Sequence, residues 1–529
     1  MRGLRAPLAT PAIPRRQAPL GARPRRSASL GKRSLKAARR LIASGATAMA
    51  GDGAWCWPRA SRALDAYEGD ASGGAIGVER VETEKFDDWR KGLPEDHKQW
   101  VSACGFKAKS GEICMMPSKE GGISKVVLGM ETASDLCSYA ALATGLPSGN
   151  YAIEGAHDQA DMDRVAMGWA MGTYTFERYK KPEEDKQQAK LCWPKGCDKS
   201  CVTSLVEALY LIRDMINTPA EDLGPEEIAA EAMAVAARHG AKVDVIVGED
   251  LLTSNYPAIH TVGRASSRAP RLVDIRWSAD PNKGDLPKVA LVGKGVAFDT
   301  GGLDIKTAQG MKGMKKDMGG AAHVLGLAHV IMANRLPVSL RVLVPTVENS
   351  ISGNAYRPSD VLQTRSGITV ENGNTDAEGR LILCDAMFEA AQDEPDLMID
   401  MATLTGAARV ALGPSLPAMF SSDDGVAEAI LRAGVAEDDP LWRMPLHSPY
   451  RKMLDSKVAD TGSCSEGPLG GAITAALFLQ KFVKDVPRWV HIDTNASNPA
   501  GHTKPGKPEG GEAQALRALW AFLRDRYAA

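Results

Sequence analysis

A chain of 529 residues is too long for one ordinary hydrophobic core and predicts two or more domains. With 44% hydrophobic and 24% charged residues it has the composition of a soluble globular protein, and no run of 18 apolar residues offers a membrane span. Its nine cysteines are too few and too scattered for a disulfide scaffold, and its net charge of −1 hides a marked asymmetry along the chain.

Residues 1–51 carry 12 Lys or Arg and no acid, whereas the remainder holds 52 basic and 65 acidic residues. A basic, Arg-rich, acid-free start that also carries Ser and Ala has the character of a transit peptide for a mitochondrion or plastid. Its stretch "KRSLKAARRLIASGATAMA" fits a basic amphipathic helix. Two alternatives stay open: Met49 as the start of a cytoplasmic protein, or a basic tail that binds nucleic acid. The acidic body gives the nucleic-acid reading no support, because phosphate binding needs a basic face.

Residues 52–200 read as a smaller N-terminal α/β domain. Strand-like runs ("GEICMMP", "ISKVVLGM") alternate there with helix-like ones ("ASDLCSYAALATGL", "DMDRVAMGWAMGTYTFERY"). The charged stretch "KKPEEDKQQAK" (180–190) lacks periodicity and predicts a surface loop. Cys192, Cys197 and Cys201 form the only cysteine cluster; three thiols with no nearby fourth ligand suit a structural zinc site poorly.

From residue 201 the chain reads as a second, larger domain, 201–529, that opens with a linker helix. Leu205, Leu209, Ile212 and Ile216 fall at helical spacing, stopped before Pro219. "GPEEIAAEAMAVAARHG" predicts a second helix with Gly240 as its cap. Thereafter "KVDVIVG", "KVALVGKG", "SLRVLVPTV" and "DLMIDMATL" read as buried strands, with "GGAAHVLGLAHVIMANRL" and "LILCDAMFEAAQD" as helices between them. The alternation predicts a mixed, mostly parallel sheet covered by helices on both faces, with ligands at the carboxyl ends of its strands.

The polar motifs lie there. After the strand that ends at Gly293 come Lys294, Asp299, Lys306 and Asp317, with several glycines. The spacing is not that of a Walker loop, although a phosphate-cradling loop stays open. Further on, "NGNTDAEGRL" puts Asp376, Glu378 and Arg380 at alternate positions. In an extended segment all three side chains would crowd one side of the backbone. Two carboxylates that close need a cation between them. If Asp299, Asp317, Asp376 and Glu378 converge from loops after strands, their oxygens favour divalent Zn, Mn or Mg, and four carboxylates suit two bridged ions. The H-E-x-x-H signature is absent, and His323 and His329, six residues apart on one helix, read as packing residues.

"VGKGVAFDTGGLDIK", "MKKDMGGAAHV", "TVENSISGNAYRPSDVLQTRSGITVENGNTDAEGRLIL", "MATLTGA" and "LGGAITAALFL" together resemble, in order and spacing, the leucyl (cytosol) aminopeptidase family over residues 205–529. The resemblance implies a metallo-aminopeptidase that releases N-terminal residues, Leu among them, from peptides with a free N-terminus. It implies two divalent ions per subunit. Lys294, Asp299, Asp317 and Glu378 would hold the tighter one, and Asp299, Asp376 and Glu378 the more exchangeable one. It implies a bicarbonate on Arg380 as general base and Lys306 polarising the scissile carbonyl. Met314, Thr403 and Gly406 match positions lining the pocket for the first side chain, and the Leu404 backbone would contact substrate or bicarbonate. The family further implies a homohexamer, a dimer of trimers, and some members also bind DNA or protect other proteins. A two-metal phosphoesterase is the rival enzyme reading. The chain departs from the family's pattern at Thr461, Gly462 and Ser463, where many members have an Asn-rich turn, and at Cys384, where Ala is frequent.

Overall fold

The computed structural model describes residues 55–57, 61–69, 74–132, 135–155, 158–181, 188–483 and 485–528. The basic arm, with its transit-peptide and Met49 readings, lies outside them, as does most of the charged stretch 180–190.

Strands Tyr67–Glu68 (β1), Ile76–Glu82 (β2), Ile113–Pro117 (β3), Ile123–Met130 (β4), Gly149–Ile153 (β5) and Ala189–Cys192 (β6) form a six-stranded sheet in the order β1-β6-β5-β2-β4-β3. All pairs are parallel except that of edge strand β3 with β4. Helices Leu136–Gly145 and Gln159–Thr173 bury Tyr139, Leu142, Val165 and Trp169 in one core with Val78, Val126 and Leu128 of the sheet. Each begins at an aspartate whose carboxylate accepts a backbone N–H of the first turn: Asp135 from Cys137 at 3.0 Å and Asp158 from Asp161 at 2.8 Å. Such a cap contributes about 1 kcal/mol. The second helix stops at Thr173, short of the run to Tyr179 that its sequence suggests. A tertiary anchor wins there: the Tyr174 hydroxyl donates to Asp214 at 2.8 Å, and the ring packs edge-on against Tyr210.

The linker helix Lys199–Asn217 forms where its spacing predicts, capped by Asp198 and ending before Pro219. Leu209, Ile212 and Ile216 are buried, and on the same helix Arg213, wholly buried, pairs with Glu512 at 3.0 Å.

The catalytic part contains Lys242–Val247 (β7), Arg271–Ser278 (β8), Lys288–Gly293 (β9), Gly295–Asp299 (β10), Ser339–Asn349 (β11), Val361–Gln363 (β12), Thr369–Glu371 (β13), Leu397–Ala402 (β14), Ala418–Ser421 (β15), Trp442–Arg443 (β16), Thr461–Gly462 (β17) and Trp489–Asp493 (β18). Nine of these make one sheet in the order β16-β15-β18-β14-β9-β11-β8-β7, with β10 also paired to β11; β12, β13 and β17 form a small separate sheet. The centre, β18-β14-β9-β11, is parallel throughout.

Alternate residues of these central strands enter two different cores. Val289 and Leu291 of β9, with Ile399 and Met401 of β14, pack with helix Gly319–Ala333 and the linker helix. Ala290 and Val292, with Met398 and Ala402, pack with helix Glu378–Ala391. Both faces are therefore covered, which is why these strands read as unbroken apolar runs. Two details depart from the sequence reading. β7 is an edge strand that exposes Lys242 and Asp244, not a buried one. The chain also does not leave the sheet at Gly293: after Lys294 it runs on as β10, parallel to β11. No helix among the described residues is long and apolar enough to cross a membrane.

Candidate active site

The register of the sheet lines up the ends of its parallel strands. Gly293 stands opposite Met401, and Ala402 opposite Asp493. Lys294, Thr403 and Asp493 therefore emerge along one carboxyl edge, where an α/β sheet offers its binding crevice. The Lys294 ammonium lies 2.9 Å from Asp317 Oδ2 and 2.8 Å from Glu378 Oε1, and donates to the Thr403 carbonyl at 3.0 Å. The Lys306 ammonium lies 2.7 Å from Asp299 Oδ2 and also bonds Asp376. Carboxylate oxygens of Asp299, Asp376 and Glu378 come within 4.8 Å of one another.

The motif around Asp376 is not the extended segment that its alternation suggests. Thr375–Ala377 is a 3-10 turn and Glu378 opens the helix Glu378–Ala391. The Asn374 side chain drives this by accepting the Asp376 N–H at 2.8 Å. Asp376 and Arg380 then stand one helical turn apart, and Glu378 sits at a helix N-terminus, where negative charge is favourable. Nor do the four carboxylates come from loops. Asp299 ends β10, Asp317 lies in the 3-10 helix Met314–Met318, and the other two sit on the turn and the helix start.

Several groups that the sequence reading did not single out fix this arrangement. Asn349, at the end of β11, donates to Asp299 Oδ1 at 2.8 Å and to the Thr375 carbonyl at 3.1 Å. Tyr356 donates to the same carbonyl at 2.7 Å. Asp493 accepts the backbone N–H groups of Leu404 and Thr405 at 3.0 and 3.1 Å and the Thr405 hydroxyl at 2.6 Å. An acid closing the buried run "WVHID" was the available signal for it. Gly301 makes the turn after β10 with φ of +88°, and a Cβ there would come within 2.5 Å of the Asp304 carbonyl oxygen.

Electrostatics in the site are lopsided. Four carboxylates face two ammoniums, most of them out of water. Burial, and then the neighbouring Asp299, push the Asp376 carboxyl up to about 6. Burial also raises Asp317 well above the usual carboxylate range, against the pull of Lys294. Burial works against the charge on Lys294, but Asp317, Glu378 and Asp299 overcome it and raise the lysine. Lys306 is raised in the same way by Asp299 and Asp376. Arg380 is buried; its Nη1 donates to the Ser463 carbonyl at 2.8 Å, while its Nε has no hydrogen-bond partner.

The donor set fits divalent cations. It offers carboxylate oxygens and one amine, carries excess negative charge, and includes Glu378 Oε2, buried without a hydrogen-bond partner. Met314, Thr403, Leu404 and Gly406 line the same cleft of about 550 Å³, with Lys294, Lys306, Arg380 and the four carboxylates. The two histidines do not join it. His323 donates from Nδ1 to the Gly319 carbonyl and accepts the Gln514 N–H at Nε2, and His329 bonds His239 and pairs with Glu207. Cys192, Cys197 and Cys201 are free thiols, and Cys201 accepts the Trp520 indole N–H at 3.3 Å.

Comparison with known proteins gives the family. Residues 210–520 match the catalytic domain of the cytosol aminopeptidase family, and residues 76–194 match the M17 aminopeptidase N-terminal domain. A probable cytosol aminopeptidase of Rhizobium meliloti is 41% identical, over 68% of this chain and 74% of its own length. One from Streptomyces coelicolor is 37% identical, over 79% and 88%. The crystal structure of the Coxiella burnetii cytosol aminopeptidase superposes with a TM-score of 0.83 at 46% identity, covering 88% of this chain and all of that one. A bottromycin maturation enzyme solved in complex with Mn gives 0.76 at 32% identity, covering 86% and 99%. The chain belongs to the cytosol aminopeptidase family and is a metal-dependent exopeptidase of the leucyl aminopeptidase type, acting on peptides.

Proposed function

We propose that this cleft removes N-terminal residues, Leu among them, from peptides with a free N-terminus by a two-metal, bicarbonate-assisted attack of water. The observation that carries the reading is the convergence of Asp299, Asp376 and Glu378 within 4.8 Å, beside the buried Lys294 and the half-buried Lys306. Lys294, Asp299, Asp317 and Glu378 would hold one divalent ion, and Asp299, Asp376 and Glu378 the other, with Zn or Mn ahead of Mg. Such ions would acidify a water, polarise the scissile carbonyl and receive the substrate's free amine. As a ligand Lys294 has to be neutral, and adjacent dications reverse the influence of its carboxylate neighbours.

The remaining chemistry falls to the chain. Lys306 presents a positive charge from the cleft wall, suited to a developing oxyanion. Arg380, a planar donor with an unpartnered Nε, would hold bicarbonate as general base toward the attacking water. Met314, Thr403 and Gly406 would receive the first side chain, and the Leu404 backbone would contact substrate or bicarbonate. A homohexamer would cover apolar surface such as Val410, Val435 and Trp442, each more than half exposed. Residues 1–51 would act as an organelle-targeting arm ahead of an N-terminal domain over 52–200 and a catalytic domain over 201–529. The arm's acid-free composition supports that role. N-terminal sequencing of protein from its native cells tests it, since a mature chain starting at Met1 would refute cleavage.

The function is tested by reconstituting metal-stripped protein and assaying leucyl against phosphoryl chromogenic substrates. Release from the leucyl substrate alone is expected; turnover of the phosphoryl substrate alone would make the site a phosphoesterase.

A further inference from the structure

The cations of the catalytic cleft differ in one respect. Lys294 and Lys306 are each shared by two carboxylates. Arg380 donates to the Ser463 carbonyl, and Lys316 to the carbonyl and side-chain oxygen of Asn495. Arg409 also lines the cleft, yet it is solvent-exposed and has no ion pair or hydrogen bond from its side chain among the described residues.

Its backbone lies on a short helix held at both ends. Helix Gly406–Leu412 opens at Thr405, whose hydroxyl accepts the Ala408 N–H at 3.0 Å and donates to the buried Asp493. The helix closes at Gly413, whose N–H donates to the Arg409 carbonyl at 2.8 Å. Arg409 stands three residues after Gly406, on the same helical face, and both line the cleft. Arg409 and the next residue, Val410, are both exposed, and of the two only Arg409 lines the cleft.

Lys316 lies within electrostatic reach of Arg409. Its partners are neutral acceptors, which satisfy its hydrogens without cancelling its charge. The acids within reach are already engaged. Asp317 is bonded by Thr403 and paired with Lys294, and Asp493 takes the Leu404 and Thr405 donors. Two cations thus share one end of a cleft without a carboxylate dedicated to either. Like charges brought together repel unless an anion lies between them, and a guanidinium matches a carboxylate through two parallel hydrogen bonds.

We propose that Arg409, supported by the charge of Lys316, recognises a carboxylate of the substrate and so sets specificity. This rests on the aminopeptidase reading of the same cleft. A peptide offers that group in two places: the side chain of an N-terminal Glu or Asp, and the C-terminal carboxylate of a dipeptide.

The test compares metal-loaded wild type, Arg409→Ala and Arg409→Lys on four substrates. Glutamyl and glutaminyl anilides differ only in carboxylate against amide on the first residue, and Leu-Gly and Leu-Gly-amide differ in the same way at the C-terminus. In Arg409→Ala the ratio of kcat/KM for the carboxylate-bearing to the carboxylate-free member should fall about 10–100-fold in one pair, which then names the source. Arg409→Lys, keeping charge but not the fork, should fall between. Ratios that stay within about twofold of wild type in both pairs overturn the proposal while leaving the peptidase intact. If the metal-loaded wild type hydrolyses neither leucyl substrate, the aminopeptidase reading itself fails, and this proposal with it.

Discussion

Lys294 Nζ lies 2.8 Å from Glu378 Oε1, and Gly379 is what leaves room for that contact: a Cβ at 379 would come within 2.6 Å of both Cε and Nζ of the lysine. The lysine tip is flexible in principle, but here it is buried and held by Asp317, Glu378 and the Thr403 carbonyl. Gly379→Ala should therefore displace the amine before it disturbs the helix. Overpacking of this kind costs about 1–3 kcal/mol, which a protein of this size survives. The expected variant folds, binds metal more weakly and loses at least about tenfold in activity. Metal per subunit and kcat, measured together, check this; normal values of both would show that the contact is dispensable.

A second prediction separates reaction chemistry from metal holding. Arg380→Ala removes the planar donor assigned to bicarbonate, and Lys306→Ala removes a charge assigned to the oxyanion. Each should cost about 3–4 kcal/mol of transition-state stabilisation, or 10²–10³ in kcat, with metal content near that of wild type. Asp376→Asn and Glu378→Gln should lower metal occupancy as well as rate. Activity and elemental analysis run side by side on all four variants distinguish the classes. Near-normal kcat in the first two with metals bound would leave only the metal-site reading standing.

Much of this site was legible in the sequence, for a physical reason. Charges that interrupt buried strands next to glycines are costly unless they converge on something, so Lys294, Asp299, Asp376 and Glu378 stand out against their apolar surroundings. The sheet was equally legible, because strands covered on both faces read as unbroken apolar runs. What failed was local conformation. Alternation of Asp376, Glu378 and Arg380 looks like a strand, but the Asn374 cap starts a helix instead, a competition in which a single side-chain hydrogen bond decides. Asn349, Tyr356 and Asp493 went unnoticed because each acts through a neighbour: on Asp299, on the Thr375 carbonyl and on the Thr405 turn. Such contacts are long-range, and of the three only Asp493, an acid closing the buried run "WVHID", leaves a signal in the chain.

Metal removal gives a prediction with a structural as well as a catalytic readout. Without divalent ions, Asp299, Asp376 and Glu378 repel one another, offset in part by Lys294 and Lys306. Chelation should abolish activity and lower the Tm, and Mn or Zn should restore both, since a ligand that binds only the folded state stabilises it. Full activity in protein shown by elemental analysis to be metal-free would sink the two-metal reading.

The last prediction concerns acid. His323 is buried and committed on both nitrogens, with Nδ1 donating to the Gly319 carbonyl and Nε2 accepting the Gln514 N–H at 3.0 Å. A second proton would have to displace the Gln514 bond inside an apolar core. Burial accordingly depresses the His323 imidazole to about 4, from an ordinary value of 6.5. Between those two pH values the unfolded chain binds a proton that the folded chain refuses. This histidine's contribution is therefore fully present above pH of about 6.5 and is lost progressively as the pH falls toward 4, at about 1.4 kcal/mol per pH unit and about 3 kcal/mol in all. His239, packed against His329 and Arg238, is depressed to about 4 by burial and then by His329, and adds in the same direction. Asp317 and Asp376, with raised values, act in the opposite sense, so only a difference measurement isolates the histidine. His323→Gln keeps a neutral side chain that cannot titrate. It should be less stable than wild type at pH 7, yet its stability should fall less steeply between pH 6.5 and 4, the two curves converging as the pH drops. Denaturant midpoints collected across that window on both proteins provide the check, and parallel curves would mean that His323 takes up its proton in the folded state without penalty.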